Sequence, residues 1–281
     1  MKTLDTLIPD IYKLFETGHE CSTENLDKFA ETIRDTVAQR LSSYKEPRKP
    51  TLRMSNIGKA DCQLWFELNG TKPDGDIPPT TKIKFLYGDI IESLVLLLIK
   101  EAGYEVTDEQ KEVYFRGIKG HLDAKVEGQV VDVKSASKYA FEKFKDGTLK
   151  DNDSFGYIKQ IGGYSAAEEV DGAFIALNKE SGELALLEVP LTFGSQRATE
   201  KRIEEIKKVI SSPNKPPRAY SPEPHNKSGN MKLPTNCSYC DFKQTCWADS
   251  NNGKGLRTFV YSTGPVYLTS VQKEPDVFEV K

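Results

Sequence analysis

Apolar residues recur three and four positions apart in several segments of the chain, a spacing that predicts amphipathic helices. The first two segments are LDTLIPDIYKLF and NLDKFAETIRDTVAQRLSSY, with Thr23 or Asn25 as the N-cap of the second. The pattern breaks at KEPRKP, residues 45–50. Further helices are predicted over about 81–102, ending near Gly103, over about 154–169, and over SQRATEKRIEEIKKVISS.

Alternation with a period of two predicts strands between these helices. We expect two to four strands in YEVTDEQKEVYFR, KGHLDAKVEG and QVVDVKS, and a hairpin in GAFIALNKESGELALLEVPL that turns around residues 180–182. The order helix, strands, helix, strands, helix favours an α/β fold, an α+β sandwich with a mixed sheet.

Length and composition limit the class of protein. A chain of 281 residues with 37% hydrophobic residues can bury one main core. The formal net charge of -3 argues against a wholly basic nucleic-acid coat, although it allows a basic groove on an acidic surface. The N-terminus lacks the apolar core of a secretory signal, and the most apolar run, IIESLVLLLIK, is shorter than the roughly 20 residues that span a bilayer. We therefore expect a cytoplasmic protein with no membrane association.

Charged residues interrupt the strand-like stretch GHLDAKVEGQVVDVKSAS, residues 120–137. If residues 127–128 form a two-residue hairpin turn, the register places Asp123 directly opposite Asp132. Lys134 lies two residues further on and points to the same face as Asp132. Two facing carboxylates repel, so the pair is costly unless a cation lies between them. The alternative is that these residues lie on the solvated face of an edge hairpin.

Other polar residues are placed where they can reach a shared site. Gln160 and Tyr164 are four residues apart on one helical face, although an ordinary amphipathic boundary shows the same spacing. Glu92 falls near the edge of an apolar helix face, where a solvated glutamate is the alternative. Four lysines are candidate phosphate contacts or, equally, parts of a solvated helix face: Lys138, Lys143, Lys145 and Lys159.

These residues, taken in order, resemble the motifs of a known family. Gly88-x-x-x-Glu92, GHLD ending in Asp123, DVK at 132–134 and QIGGY at 160–164 are similar to the motifs of RecB-like nucleases in the PD-(D/E)xK superfamily. In this chain Leu122 replaces the proline of the PD motif, and Glu92 stands where histidine is common. The resemblance implies a restriction-endonuclease-like mixed central sheet flanked by helices.

The same resemblance implies how the chain is organised and what it does. The implied parts are a helical N-terminal segment at 1–50, a nuclease core at 51–220, a cysteine cluster at 221–250 and a C-terminal tail at 251–281. The implied activity is that of a Mg²⁺- or Mn²⁺-dependent deoxyribonuclease, an exonuclease in preference to an endonuclease, acting on DNA in processing, recombination or repair. A phage or viral origin is one option for such a protein. The competing interpretation is a catalytically inactive DNA-binding or assembly subunit that keeps the fold.

Roles for individual residues follow from the family. The implied metal ligands are the side chains of Glu92, Asp123 and Asp132 and the carbonyl of Val133. Lys134 would orient or deprotonate the attacking water. Gln160 and Tyr164 would position the DNA backbone or Lys134. The implied catalytic set is therefore Asp123, Asp132, Lys134, Gln160 and Tyr164.

Five cysteines in a chain expected to be cytoplasmic indicate metal binding or catalysis rather than disulfides. Three follow the motifs as Cys237-x2-Cys240-x5-Cys246, and Cys62 precedes them. This pattern resembles the iron–sulfur staple of CRISPR adaptation exonucleases and AddB-type nuclease domains, which implies a [4Fe–4S] cluster, with zinc as the alternative. Cys21 is the rival fourth ligand. The place of the lone cysteine in the family favours Cys62 and leaves Cys21 as a free thiol.

Overall fold

The computed structural model describes residues 2–43 and 50–280. The predicted break at KEPRKP lies outside the described residues except for its final proline. The chain forms two compact units, one of Met1–Gly58 with Ile77–Glu204 and one of Lys59–Asp76 with Glu205–Lys281. None of the described helices combines enough length with enough apolar character to cross a membrane.

The described part of the chain contains ten α-helices. In chain order they are α1 Leu7–Thr17, α2 Thr23–Ser43, α3 Asp61–Leu68, α4 Pro79–Glu101, α5 Lys138–Lys145, α6 Tyr157–Glu168, α7 Phe193–Ile210, α8 Thr235–Ser238, α9 Lys243–Cys246 and α10 Ser250–Gly253. The predicted helices ending near Gly103 and covering 154–169 and 195–212 correspond to α4, α6 and α7. The cap of α2 was predicted wrongly: the helix begins at Thr23, and Ser22 Oγ accepts the Asn25 N–H at 3.4 Å.

The same part of the chain contains twelve strands. They are β1 Val106–Thr107, β2 Glu112–Phe115, β3 Ile118–His121, β4 Ala124–Val126, β5 Gln129–Ala136, β6 Gly172–Asn178, β7 Leu184–Val189, β8 Glu223–His225, β9 Asn230–Lys232, β10 Arg257–Tyr261, β11 Gly264–Ser270 and β12 Glu279–Val280. The first unit holds a five-stranded sheet in the order β1-β4-β5-β6-β7, in which only the β5–β6 pair is parallel. β6 and β7 form the predicted hairpin.

Five strands precede α5, where two to four were predicted. The stretch YEVTDEQKEVYFR contains β1 and β2, which belong to different sheets. Asp108 and Gln110 have positive φ values of 55° and 54°, so the chain turns between the two strands. The second stretch is divided in the same way into β3 and β4, and β2 and β3 pair as a separate hairpin. Positive φ at non-glycine residues carries a steric cost, so alternation alone did not indicate the turn between β1 and β2.

Alternation along β5 assigns its side chains to two faces of the first sheet. Val131 and Val133 belong to a core that includes residues of α1 and α4, such as Ile11, Ile91 and Val95. On the other face Phe174 is in register with Asp132 and packs against aromatic rings of α5 and α6. The predicted fold class, a mixed central sheet flanked by helices, is confirmed.

The second unit has its own sheet and core. Its five strands are antiparallel, in the order β12-β10-β11-β9-β8. Its core joins aromatic and sulfur-bearing side chains with one leucine, namely Phe66, Leu233, Cys240, Phe242, Cys246 and Trp247. The tail 251–281, to which the sequence assigned no chemistry, supplies three strands of this sheet.

Candidate active site and cysteine cluster

The β4–β5 hairpin has the predicted register up to Ala124, which pairs with Val131. Its turn residues 127–128 have positive φ, as a two-residue turn of this type requires. The ladder ends before Asp123, so the predicted direct pairing of Asp123 with Asp132 is wrong. The Asp123 carbonyl instead accepts the Gln110 N–H at 3.0 Å. The Asp123 side chain turns back towards β5, where its Oδ2 accepts the Val133 N–H at 2.8 Å.

Asp132 is the most deeply buried charged residue of the candidate site, with 1% of its surface exposed. Its Oδ1 accepts a hydrogen bond from Gln160 Nε2 at 3.2 Å. Its Oδ2 is in ion-pair contact with Lys134 Nζ, yet within the described part of the chain it accepts no directed hydrogen bond. A buried carboxylate oxygen without a hydrogen bond is costly. The Lys134 ammonium is therefore the partner of Asp132 Oδ2, and the oxygen keeps a lone pair that a second cation can use.

Glu92 lies on α4 and is half-buried, and its Oε1 accepts a hydrogen bond from Gln110 Nε2 at 2.6 Å. Burial raises the pKa of Glu92 to about 7, and the charge of Asp132 adds to this effect. Burial and the charges of Asp132 and Glu92 raise the pKa of Asp123 well above its usual range. Glu92 is therefore not a solvated surface glutamate. Three carboxylates are close enough to repel one another.

Lys134 provides the positive charge in this cluster. Burial lowers its pKa, but the charges of Asp132 and Asp123 outweigh this and raise the pKa above its usual value. Its Nζ also lies 4.9 Å from the centre of the Tyr157 ring. The ammonium group is therefore held between carboxylates and an aromatic face, both of which favour its charged form.

Gln160 and Tyr164 support the cluster from α6. Gln160 Nε2 lies 3.2 Å from Asp132 Oδ1 and 3.5 Å from the Tyr164 hydroxyl oxygen, so it links the two residues. Tyr164 is 2% exposed, and burial raises its pKa to about 12. A Cβ at residue 120 would lie 2.5 Å from the Tyr164 ring, so only glycine fits in GHLD. These contacts place Tyr164 beneath the site.

Sequence reasoning missed Gln110 and Tyr157. Tyr157, Gln160 and Tyr164 follow an i, i+3, i+7 spacing on one helix face, so the first of them could have been found from the sequence. Gln110 had no such signal, because its position depends on a positive-φ turn between two sheets.

A cleft of about 580 Å³ between α2 and α4 leads to the carboxylates, and Glu92 and Asp123 line it. One wall carries Arg40, which forms a bidentate ion pair with Asp89 at 2.5 and 2.7 Å. At the other end Lys28 and Lys100 both bind Glu109. The cations of the cleft wall are therefore paired with carboxylates of the same wall.

The lysines predicted as phosphate contacts have different surroundings. Lys145 Nζ binds Glu183 Oε1 at 2.6 Å, and Lys143 Nζ donates to the Asn152 carbonyl at 3.1 Å. Lys138 and Lys159 are exposed. Their contact with phosphate stays a prediction.

Four of the five cysteines belong to the second unit: Cys62, Cys237, Cys240 and Cys246. Cys62 is on α3, and the others lie on or beside the short helices α8 and α9. All four line one small cavity of about 20 Å³. The rival ligand Cys21 is exposed and belongs to the first unit.

The four thiols have unequal proton affinities. A hydrogen bond from Cys246 lowers the pKa of Cys62 to about 6, and the same contact raises the pKa of Cys246. Burial raises the pKa of Cys237 and of Cys240 to about 11. The chain around Cys246 is fixed by Arg218, whose Nε donates to the Cys246 carbonyl at 3.0 Å. Cys62 is the thiol that most readily becomes a thiolate.

No known family profile and no curated protein sequence matches the chain. Among solved structures it is similar to LHK-Exo in complex with dAMP, with 17% identity, a TM-score of 0.42, and coverage of 58% of this chain and 90% of the other. LHK-Exo is an alkaline exonuclease from Laribacter hongkongensis. A phage-related exonuclease from Haemophilus somnus 129PT gives 10% identity, a TM-score of 0.45, and coverage of 58% and 94%. Likenesses this distant assign no activity.

Proposed function

We propose that the carboxylate cluster hydrolyses phosphodiester bonds in DNA with the help of one or two Mg²⁺ or Mn²⁺ ions. The observation that carries the proposal is Asp132, a fully buried carboxylate whose Oδ2 contacts the Lys134 ammonium and keeps a lone pair for a metal ion. It stands beside Asp123 and Glu92, whose pKa values are raised first by burial and then by repulsion between the carboxylates, and a cation would offset both effects.

The donor set fits a hard divalent cation. Glu92, Asp123 and Asp132 offer carboxylate oxygens and Val133 offers a carbonyl, which are the ligand types that Mg²⁺ and Mn²⁺ prefer. Such an ion supplies Lewis-acid stabilisation of phosphate charge and a nucleophilic hydroxide at neutral pH. No choice of one oxygen from each of the three carboxylates brings all three oxygens within 4.8 Å of one another. The carboxylates are therefore spread more widely than the ligands of a single ion. That spread favours two ions, about 3.5–4 Å apart in sites of this kind.

The remaining side chains have distinct tasks in this proposal. Lys134 stays protonated between Asp132 and the Tyr157 ring, which suits it to offset phosphate charge and orient a water. Gln160 fixes the rotation of the Asp132 carboxylate, and the Val133 N–H fixes that of Asp123. Tyr164 lies too deep to contact DNA and acts by holding Gln160.

DNA as the substrate is supported by the order of the four motifs and by the cleft between α2 and α4. The cleft volume of about 580 Å³ is in the range of sites that enclose a drug-sized ligand, so it suits the end of a single strand better than a duplex. This favours an exonuclease over an endonuclease.

For the second unit we propose a [4Fe–4S] cluster bound by Cys62, Cys237, Cys240 and Cys246. Four thiolates on one zinc ion lie about 3.8 Å apart, because each Zn–S bond is about 2.3 Å. No three of these Sγ atoms lie within 4.8 Å of one another, a spread that suits four thiolates on separate irons. The cavity of about 20 Å³ instead suits a single ion. We give more weight to the distances between the Sγ atoms. Side-chain rotation can enlarge a cavity, whereas bringing four cysteines closer together requires the backbone to move.

The decisive experiment digests end-labelled linear DNA and circular DNA with the purified protein in Mg²⁺, in Mn²⁺ and in chelator. We expect ion-dependent shortening of linear DNA from its ends, and no cleavage by Asp132→Asn. Asp108→Asn, which removes a surface carboxylate paired with Lys111, is the matched control and should cleave normally. DNA binding without cleavage by the wild type in either ion would support the inactive-subunit interpretation instead.

A further inference from the structure

A third group of metal-ligating side chains lies in the first unit, outside the carboxylate cluster. His19 and Cys21 lie between α1 and α2, and Glu101 is the last residue of α4. One ligand atom of each lies within 4.8 Å of the other two. Within the described part of the chain, this is the only group of three such residues with that closeness.

The Glu101 carboxylate is buried, with its side chain 3% exposed. Burial raises its pKa, but hydrogen bonds from Asn25 and His19 outweigh this and hold the pKa below its usual value. Its ion-pair partner is the His19 ring, at 2.7 Å, and no lysine or arginine of the described residues pairs with it. A cation bound beside this carboxylate would compensate its charge.

The surroundings of Glu101 resemble the outer shell of a metal site. Asn25 Nδ2 donates to Glu101 Oε1 at 2.6 Å, and the Ser22 N–H donates to Oε2 at 3.1 Å. These bonds fix the carboxylate plane and leave Oε2 directed towards the imidazole of His19. Hydrogen bonds of this kind orient metal ligands and raise their affinity.

We propose that His19, Cys21 and Glu101 bind one Zn²⁺ ion. A set of nitrogen, sulfur and oxygen donors suits Zn²⁺, whereas Mg²⁺ and Ca²⁺ prefer oxygen alone. The Cys21 thiol releases one proton to solvent as its sulfur binds, and a water completes the tetrahedron. Ligand atoms in such a site lie about 3.3–3.6 Å apart, so small rotations of the exposed side chains of His19 and Cys21 are sufficient.

The ion would act on the cleft wall. It ties the chain before α2 to the end of α4, and these two helices form the cleft that leads to the carboxylates. Asn25 connects the two features, because it lines the cleft and binds Glu101. Zn²⁺ bound here fixes the first turn of α2. The site is independent of the proposed nuclease activity and of the cysteine cluster of the second unit.

The test is a Co²⁺ titration of anaerobically purified, chelator-treated protein in excess Mg²⁺, which keeps Co²⁺ from the carboxylates. We expect wild type to bind one equivalent more than Cys21→Ser, with a thiolate-to-cobalt absorption band in the difference spectrum. His19→Ala should lose the same equivalent, and His121→Ala, a matched control on β3, should keep it. Zn²⁺ affinity should fall by a factor of at least about 10 in both ligand variants. The comparison holds whatever the other four cysteines bind, because each variant leaves them unchanged.

Hydrogen exchange provides a second measurement. Zn²⁺ should slow amide exchange in the first turn of α2 in the wild type and have no effect in Cys21→Ser. Equal Co²⁺ stoichiometry and equal spectra for the wild type and Cys21→Ser would overturn the proposal. So would loss of the band in Cys21→Ser together with its full retention in His19→Ala, since that pattern indicates a lone thiol binding cobalt.

Discussion

The carboxylate cluster and the cysteine cluster bury ionisable side chains in opposite ways. The carboxylates lie beside a cleft and keep a positive charge, Lys134, in contact with Asp132. The cysteines lie in an apolar core, where stacked rings such as Phe66 and Phe242, 5.6 Å apart, surround them. Thiols can be buried as neutral groups, whereas carboxylates resist neutralisation unless their pKa values rise by several units.

The two clusters should therefore depend differently on what they bind. Without the proposed [4Fe–4S] cluster, the second unit would lose the cross-links between α3 and the segment 237–246. These two segments belong to separate parts of the chain. Without an ion, the carboxylates only repel one another, and the sheet beneath them holds them in place. We expect ligand loss to unfold the cysteine region and to inactivate, but not unfold, the carboxylate region.

The largest effect is expected for Cys240→Ser. Removing one ligand should abolish the brown colour, the iron and the sulfide that a [4Fe–4S] cluster gives the protein. It should also lower the free energy of unfolding of the second unit by about 5 kcal/mol or more, because the free energy of binding such a group contributes directly to folding. Both tryptophans, Trp65 and Trp247, belong to this unit, so their fluorescence reports its unfolding. Cys21→Ser is the control and should keep colour and stability. If the wild type contains stoichiometric zinc and no iron, the four cysteines bind zinc and the [4Fe–4S] assignment is wrong.

Asp132→Asn should give the next largest effect, on activity alone. The substitution keeps the shape of the side chain but removes its charge, so cleavage should fall about 10³-fold, equivalent to about 4 kcal/mol in the activation barrier. Stability in chelator should change little, since the relieved repulsion with Glu92 and Asp123 offsets the lost ion pair with Lys134. Steady-state cleavage and urea unfolding measure the two quantities. A loss of stability as large as that of the cysteine variant would remove the contrast between the regions.

Glu92 should make the stability of the first unit depend on pH in chelator. Its pKa is about 7 in the folded protein, against 4.5 ordinarily, so the unfolded chain loses this proton first as the pH rises. The contribution is therefore present below about pH 4.5 and lost as the pH rises through about 7, a fall of about 3 kcal/mol. Glu92→Gln should reduce the fall and leave the part that comes from Asp123, whose pKa is also raised. Exposed Glu16→Gln should keep the whole fall, in urea unfolding followed by far-UV circular dichroism. A wild-type protein that gains stability over this range would contradict the burial of Glu92.

The smallest effect is expected for Gln160→Ala. The Asp132 carboxylate loses the donor that fixes its rotation, so cleavage should fall about tenfold, the lower end of the range for residues that orient a metal ligand. The loss should shrink at high Mg²⁺ concentration, because the missing contact weakens ion binding. Lys159→Ala, on the exposed side of α6, should leave the Mg²⁺ dependence unchanged.

The sequence alone determined much of the local structure. Helices α4, α6 and α7 and the β4–β5 register were predictable because periodicity and turn chemistry act over a few residues. The residue types that can bind a metal ion were also recognisable from the sequence, since Asp, Glu and Cys offer the same ligand atoms in any fold.

Tertiary structure decided which of these donors meet. Glu92 reaches Asp132 because α4 packs on Val131 and Val133 of β5, and Gln110 reaches Glu92 because the chain turns between two sheets. Glu101 meets His19 although 82 positions separate them. Such contacts depend on how elements distant in the chain pack together, a packing that the local pattern of apolar and polar residues does not specify.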